Sequence, residues 1–164
     1  MMKAVIHTTI FMLLSFVAIA QEQITIVELE PVLNATWEGT LTYKNYGDGR
    51  LVSIPTKLTL QKKNERTIKY IQEYPNEPKA NSTGKWKIED DGATFNDATV
   101  IAKNKKEDGS LEFLTRYEGK DNGKASTMFV TYRISKNKLS YTKEVQYQGA
   151  TERFVRNKYE YTKQ

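Results

Sequence analysis

Cysteine is absent from the chain, and its one histidine is His7. Ser-His-Asp and Cys-His nucleophiles, histidine general bases and zinc sites built from His and Cys are therefore excluded from residues 21–164. Without cysteine there are no disulfides, the usual staple of a small exported domain, and no bacterial lipobox. The core and the sheet ladder must supply the stability. No Gly-rich phosphate loop precedes a helix, and neither Asp48-x-Arg50 nor Asp90-Asp91-Gly92 matches an EF-hand ligand series. A helical period is missing throughout.

Long apolar runs are confined to the first 20 residues. Met1-Met2-Lys3 gives a positive start, Ala4 to Val17 is apolar apart from His7, Thr8, Thr9 and Ser15, and Ala18-Ile19-Ala20 is a small-x-small cleavage site before Gln21. This reads as a signal peptide. A membrane anchor fits less well, because a spanning helix needs about 20 mostly apolar residues and polar Gln21-Glu22-Gln23 follows at once. Residues 21–164 are then expected to form one domain in the periplasm or outside the cell, without stable membrane insertion.

The net charge is +5, the pI about 9.2, and the excess is scattered. Lys62-Lys63, Lys103-Asn104-Lys105-Lys106 and Lys136-Asn137-Lys138 sit at strand ends or turns, where lysine protects sheet edges. A nucleic-acid footprint would cluster on one face among aromatics, so no nucleic-acid partner is expected. Acidic residues behave similarly. Asp90-Asp91, Asp97, Glu107-Asp108 and Asp121 fall in or beside turns, where Asp serves backbone geometry. Asn34-Ala35-Thr36 and Asn81-Ser82-Thr83 are sequons for glycosylation, tripeptides that also arise by chance.

What is present is strict alternation. In Ala35 to Lys44, Trp37, Gly39, Leu41 and Tyr43 share one face and polar residues the other, the signature of a half-buried strand. The plan repeats. Strands are expected over Leu51 to Gln61, Arg66 to Tyr74, Gly84 to Glu89, Ala93 to Lys103 with a bend near Asn96-Asp97, Leu111 to Glu118, Ser126 to Ser135, Leu139 to Tyr147 and Thr151 to Thr162. On the last, Val155, Tyr159 and Tyr161 share a side. Ile24-Thr25-Ile26-Val27 is an edge strand or a plug for one end, stopped by Pro31. Pro55 marks a bulge or an unpaired donor position. Asp48-Gly49 supplies the positive-φ positions of the first hairpin, and Pro75 to Ser82 is an open loop.

The tight turns predict an all-β fold, a single antiparallel up-and-down β-barrel of 8–10 strands that removes exposed edges by closure. A two-layer β-sandwich is the alternative.

Trp37-x-Gly39 on the first long strand, the hairpin meander and Arg156-Asn157-x-Tyr159 on the last strand resemble the lipocalin and calycin-like small β-barrels. These include the lipocalin-like domains of exported bacterial proteins. The lipocalin order is Gly-x-Trp, reversed here, and the family disulfide is missing. The resemblance implies that Trp37 packs against Arg156 to close the barrel's bottom. The haem-binding, nitrobindin-like barrels also open on Trp-x-Gly, but hold haem through a histidine. With the only histidine at His7 in the leader, that mode is excluded, and no cofactor or metal is expected.

Aromatics carry the positive signal. Trp37, Tyr43, Tyr70, Trp86, Phe113, Tyr132 and Tyr141 sit among apolar strand-mates, where they either fill the core or line a cavity for one small ligand. The leading expectation is a non-enzymatic binding protein in which these seven hold a small apolar or amphipathic ligand. The alternatives are an envelope interaction protein with a filled barrel, its protein partner unidentified, and a hydrolase or isomerase built on carboxylates.

Overall fold

Ten antiparallel strands follow one another, each pairing with the next. They are β1 (Ala35–Lys44), β2 (Leu51–Asn64), β3 (Thr67–Glu73), β4 (Ser82–Glu89), β5 (Thr94–Phe95), β6 (Ala98–Lys105), β7 (Leu111–Asp121), β8 (Lys124–Ile134), β9 (Lys138–Tyr147) and β10 (Phe154–Lys163). Pairing of β1 with β10 closes the sheet into an up-and-down barrel, as the alternation requires. This computed structural model describes residues 22–89 and 92–164, so the expected leader and the Asp90-Asp91 pair lie outside the described residues. None of the described helices is long and apolar enough to cross a membrane.

Gly39 explains the Trp-x-Gly motif. Gly39 pairs with Tyr161 across β1 and β10, and a Cβ on it would lie 1.9 Å from the Glu160 carbonyl oxygen. Only glycine permits that approach. Asn45 to Arg50 forms the first turn, where Gly49 takes positive φ and Asp48 does not; the Asp48 carboxylate instead accepts from the Arg50 backbone N–H at 3.1 Å. The bend expected near Asn96-Asp97 is a turn with both residues at positive φ, splitting that segment into β5 and β6. Pro55 pairs with Thr40 without a bulge, and its other side faces no β3 residue, which is the unpaired-donor position.

The barrel is closed at one end and open at the other. At the closed end, residues 24–33 form the plug, as a short helix α1 (Ile26–Leu29) and a 3-10 turn (Glu30–Val32) rather than a strand. The helix has a local cause: the Glu28 carboxylate accepts from the Thr25 backbone N–H at 2.9 Å, one half of a capping box. Ile24, Ile26, Leu29, Val32 and Leu33 are buried there. Lys103 on β6 ties the plug down through Glu28 at 3.1 Å. Burial alone would raise the Glu28 carboxyl, but the bonds from Thr25 and Lys103 hold it below its ordinary value.

The open end is uneven. β7 runs on to Asp121, but β6 pairs with it only as far as Arg116. Likewise β3 pairs with β2 only from Lys57 onward, leaving Leu51 to Thr56 without a ladder partner on β3. Strands β3 to β6 therefore form a low wall, while β7 to β10, β1 and β2 form a tall one.

Candidate functional site

Above the low wall lies a cavity of about 660 Å³, bounded by Leu58, Tyr70, Gln72, Trp86, Thr115, Tyr117, Val130, Tyr132, Tyr141, Lys143, Asn157 and Tyr159, with Asn96 and Asp97 on its rim. Tyr74, Lys143 and Asn157 also border a recess of about 560 Å³ toward the open end, beside Leu41, Tyr43, Ile54, Glu77 and Arg156. Both volumes fall within the range of small-molecule sites.

The cavity floor is a packed aromatic cluster. Phe113 and Tyr132 stack at 4.6 Å, Phe95 meets each edge-on at 5.2 Å, and Trp86 meets Tyr132 and Tyr141 edge-on at 6.2 and 6.0 Å. These are the offset and T-shaped geometries that ring quadrupoles favour.

Above it sits a polar network that folds onto Gln72. Its amide oxygen accepts from the Tyr161 hydroxyl at 2.9 Å and from Tyr141 at 3.4 Å. Its amide nitrogen donates to Thr56 and, at 2.9 Å, to the Lys57 carbonyl. The hydroxyls of Tyr74 and Tyr159 bond each other at 2.9 Å. Burial pushes the phenols of Tyr132, Tyr141 and Tyr159 well up, and that of Tyr161 to about 12. Those of Tyr141, Tyr159 and Tyr161 are hydrogen-bonded as well as enclosed, and all four stay neutral and remain donors at ordinary pH.

A second cluster fastens the open end. Asp121, buried at the end of β7, accepts from Tyr46, from Tyr147 at 3.1 Å, and pairs with Arg156 at 3.5 Å. Arg156 also covers the Tyr46 ring at 3.7 Å and donates to the Lys44 carbonyl. The β1–β2 turn, the ends of β7 and β9 and the start of β10 meet here.

Of the seven aromatic candidates, Tyr70, Trp86, Tyr132 and Tyr141 line the cavity and Tyr43 lines the recess. Trp37 and Phe113 do not. Both point inward but lie in the filled, closed half, at 0% and 1% exposure. Trp37 donates its indole N–H to the Val32 carbonyl at 3.1 Å, under the plug. The implied Trp37–Arg156 closure is not formed: Trp37 pairs in register with Lys163, whose ammonium lies 5.8 Å from the Trp37 ring, and Arg156 stands at the opposite end. Val155 also differs from expectation, because a bulge between Val155 and Asn157 turns it outward to 46% exposure. Both sequon asparagines have backbone tasks: Asn34 accepts from the Lys62 N–H at 3.1 Å and Asn81 from the Tyr74 N–H at 2.7 Å.

Sequence reasoning missed Gln72, Lys143, Asn157 and Tyr159 in the cavity wall, and Asp121 as a latch. For Lys143 a signal existed, since it occupies an inward position between Tyr141 and Val145.

No family model matches the chain, and no curated protein matches its sequence. Among solved structures, the chain is similar to that of Rv2717c from M. tuberculosis, at 15% identity and a TM-score of 0.59, over 85% of this chain and 96% of that one. Weaker likenesses are to a point mutant and the wild type of the fluorescent protein UnaG. These stand at 13% and 14% identity and TM-scores of 0.43 and 0.40, covering 81% and 77% of this chain and 96% and 93% of those. The first likeness shows the barrel fold.

Proposed function

We propose that the chain is an exported, lipocalin-like carrier that holds a small apolar or amphipathic ligand in the cavity above the aromatic floor. One observation carries the reading: the closed half of the barrel is filled by side chains, whereas the open half keeps about 660 Å³ bounded by aromatic faces and neutral hydrogen-bond donors. The filled barrel required by the envelope-interaction alternative does not describe this half.

The reading is non-enzymatic. Residues 21–164 have no histidine or cysteine, and Asp121, an acid that borders the recess, is engaged by two phenols and Arg156. In this proposal residues 1–20 are removed as a signal peptide and residues 21–164 work as one domain in the periplasm or outside the cell.

Native mass spectrometry of protein purified from the exported fraction tests both halves. The expected result is a polypeptide mass beginning at Gln21 and an adduct that denaturation releases as an apolar or amphipathic compound. A mass that retains residues 1–20 overturns export by cleavage. An empty protein whose melting no amphipathic compound shifts overturns the carrier.

A further inference from the structure

Resting on that carrier reading, we propose that the ligand bears one anionic group, a carboxylate or chemically similar head, and that Lys143 holds it. Lys143 lies on β9 between Val130 of β8 and Asn157 of β10. Among the described residues it is the one lysine or arginine in the lining of the main cavity, and it also borders the recess.

Lys143 is half-buried as a residue, and its ammonium has no carboxylate within ion-pair distance among the described residues. The contact recorded for it is the Tyr117 ring, 5.8 Å from the ammonium to the ring centroid. Of the described lysines that are not exposed, Lys57, Lys62, Lys103 and Lys158 are paired, with Glu38, Glu65, Glu28 and Glu160, whereas Lys143 and Lys69, on the outward face of β3 between Ile68 and Tyr70, are not. A cation drawn partly out of water without a partner loses solvation that an incoming anion restores.

The acids nearby do not fill that place. Asp97 sits on the exposed low rim, Glu77 on the exposed loop over the recess, and Asp121 is held by Tyr46, Tyr147 and Arg156. The other groups around Lys143 favour an anion as well. Asn157 is its cross-strand neighbour, and the Tyr159 phenol is pushed up by burial, so it donates instead of repelling. Beneath Lys143, Trp86 and Tyr132 give an apolar tail its surface. The head thus lies toward the opening and the tail on the floor.

The test uses residues 21–164 and two fluorescent probes with the same aromatic body. One is 1-anilinonaphthalene-8-sulfonate; the other, N-phenyl-1-naphthylamine, lacks the sulfonate. The parent protein is expected to bind the sulfonate about tenfold more tightly. Lys143→Met is expected to abolish that preference and leave affinity for the neutral probe within about twofold, while Lys143→Arg retains the preference. Lys57→Met removes the same charge from the outer surface and is expected to leave the preference intact. If Lys143→Met loses the near-ultraviolet dichroism of the folded barrel, Lys143→Gln carries the same comparison. Equal binding of both probes by the parent, or a preference that survives loss of the Lys143 charge, overturns the anion site while leaving the carrier standing. Binding of neither probe overturns the carrier itself.

Discussion

Raising the pH should unfold this barrel by ionising its interior phenols. Tyr132, Tyr141, Tyr159 and Tyr161 are all pushed upward, first of all by burial, and Tyr161 reaches about 12 from an ordinary 10.0. A folded-state value above the unfolded one means that, between the two, the folded chain keeps a proton the unfolded chain has lost. The contribution is therefore whole below about pH 10 and falls as pH rises toward the folded value. For Tyr161, two units correspond to about 3 kcal/mol. With four phenols shifted in one direction, stability falls by about 5 kcal/mol per pH unit above 10, so two units consume the whole stability of an ordinary domain. The assay is stepwise alkaline titration followed by phenolate absorbance and far-ultraviolet circular dichroism. The four enclosed phenols should ionise together in one steep step that coincides with loss of the sheet signal. Tyr161→Phe should lower stability at neutral pH by about 1 kcal/mol, through its lost bond to Gln72, yet move the step to higher pH. Complete phenolate absorbance with the sheet signal intact would refute the reasoning.

Three further outcomes follow from the geometry. Gly39→Ala should cost about 3 kcal/mol or more in equilibrium urea unfolding, because its Cβ meets the Glu160 carbonyl oxygen at 1.9 Å; a loss under about 0.5 kcal/mol, the ordinary surface range, would remove the close-approach account. Asp121→Asn should cost about 3 kcal/mol by leaving Arg156 unpaired at the open end, and unchanged urea stability would show that the latch is ornamental. Trp37→Phe should lose about 2 kcal/mol, through its bond to Val32 and a partial void, while probe affinity stays within about twofold. By contrast, Trp86→Leu should weaken neutral-probe binding roughly tenfold. Equal effects of the two Trp changes on binding would contradict the division of the barrel into a filled and an open half.

The period-two pattern made the strands and the all-β barrel legible, down to the bounds of β1, because it reports on which face a side chain lies. It does not report height along the barrel. Trp37 and Tyr43 share the inward face of β1, yet one lies under the plug and the other borders the recess. The same holds for Phe113 and Tyr117 on β7. Register fixes height, and register depends on turns and bulges: the one-residue bulge after Val155 reverses that side chain. The plug was legible as an apolar segment but not as a helix, since Thr25-x-x-Glu28 is one short capping box without a periodic face behind it. Asp121 looked like any turn aspartate because its partners, Tyr46, Tyr147 and Arg156, lie up to 75 residues away in the chain. Lys143 was legible in principle, as a charge at an inward position of a strand.

The open half is not a packing defect. A space of about 660 Å³ that opens to solvent and is lined by amides, phenols and a lysine as well as aromatic faces does not stay dry. The space must therefore be filled by water or by a ligand. Its walls suit both, because the buried polar side-chain atoms among the described residues all have partners and the inward phenols and amides can bond a guest or solvent in turn. The low wall of β3 to β6 leaves the way in, and the plug with the closed-half core supplies the stability that a hollow upper half does not. An apolar guest that displaces water from the aromatic floor gains burial without disturbing the Gln72 network, and an anionic head gives Lys143 the partner that no described residue supplies.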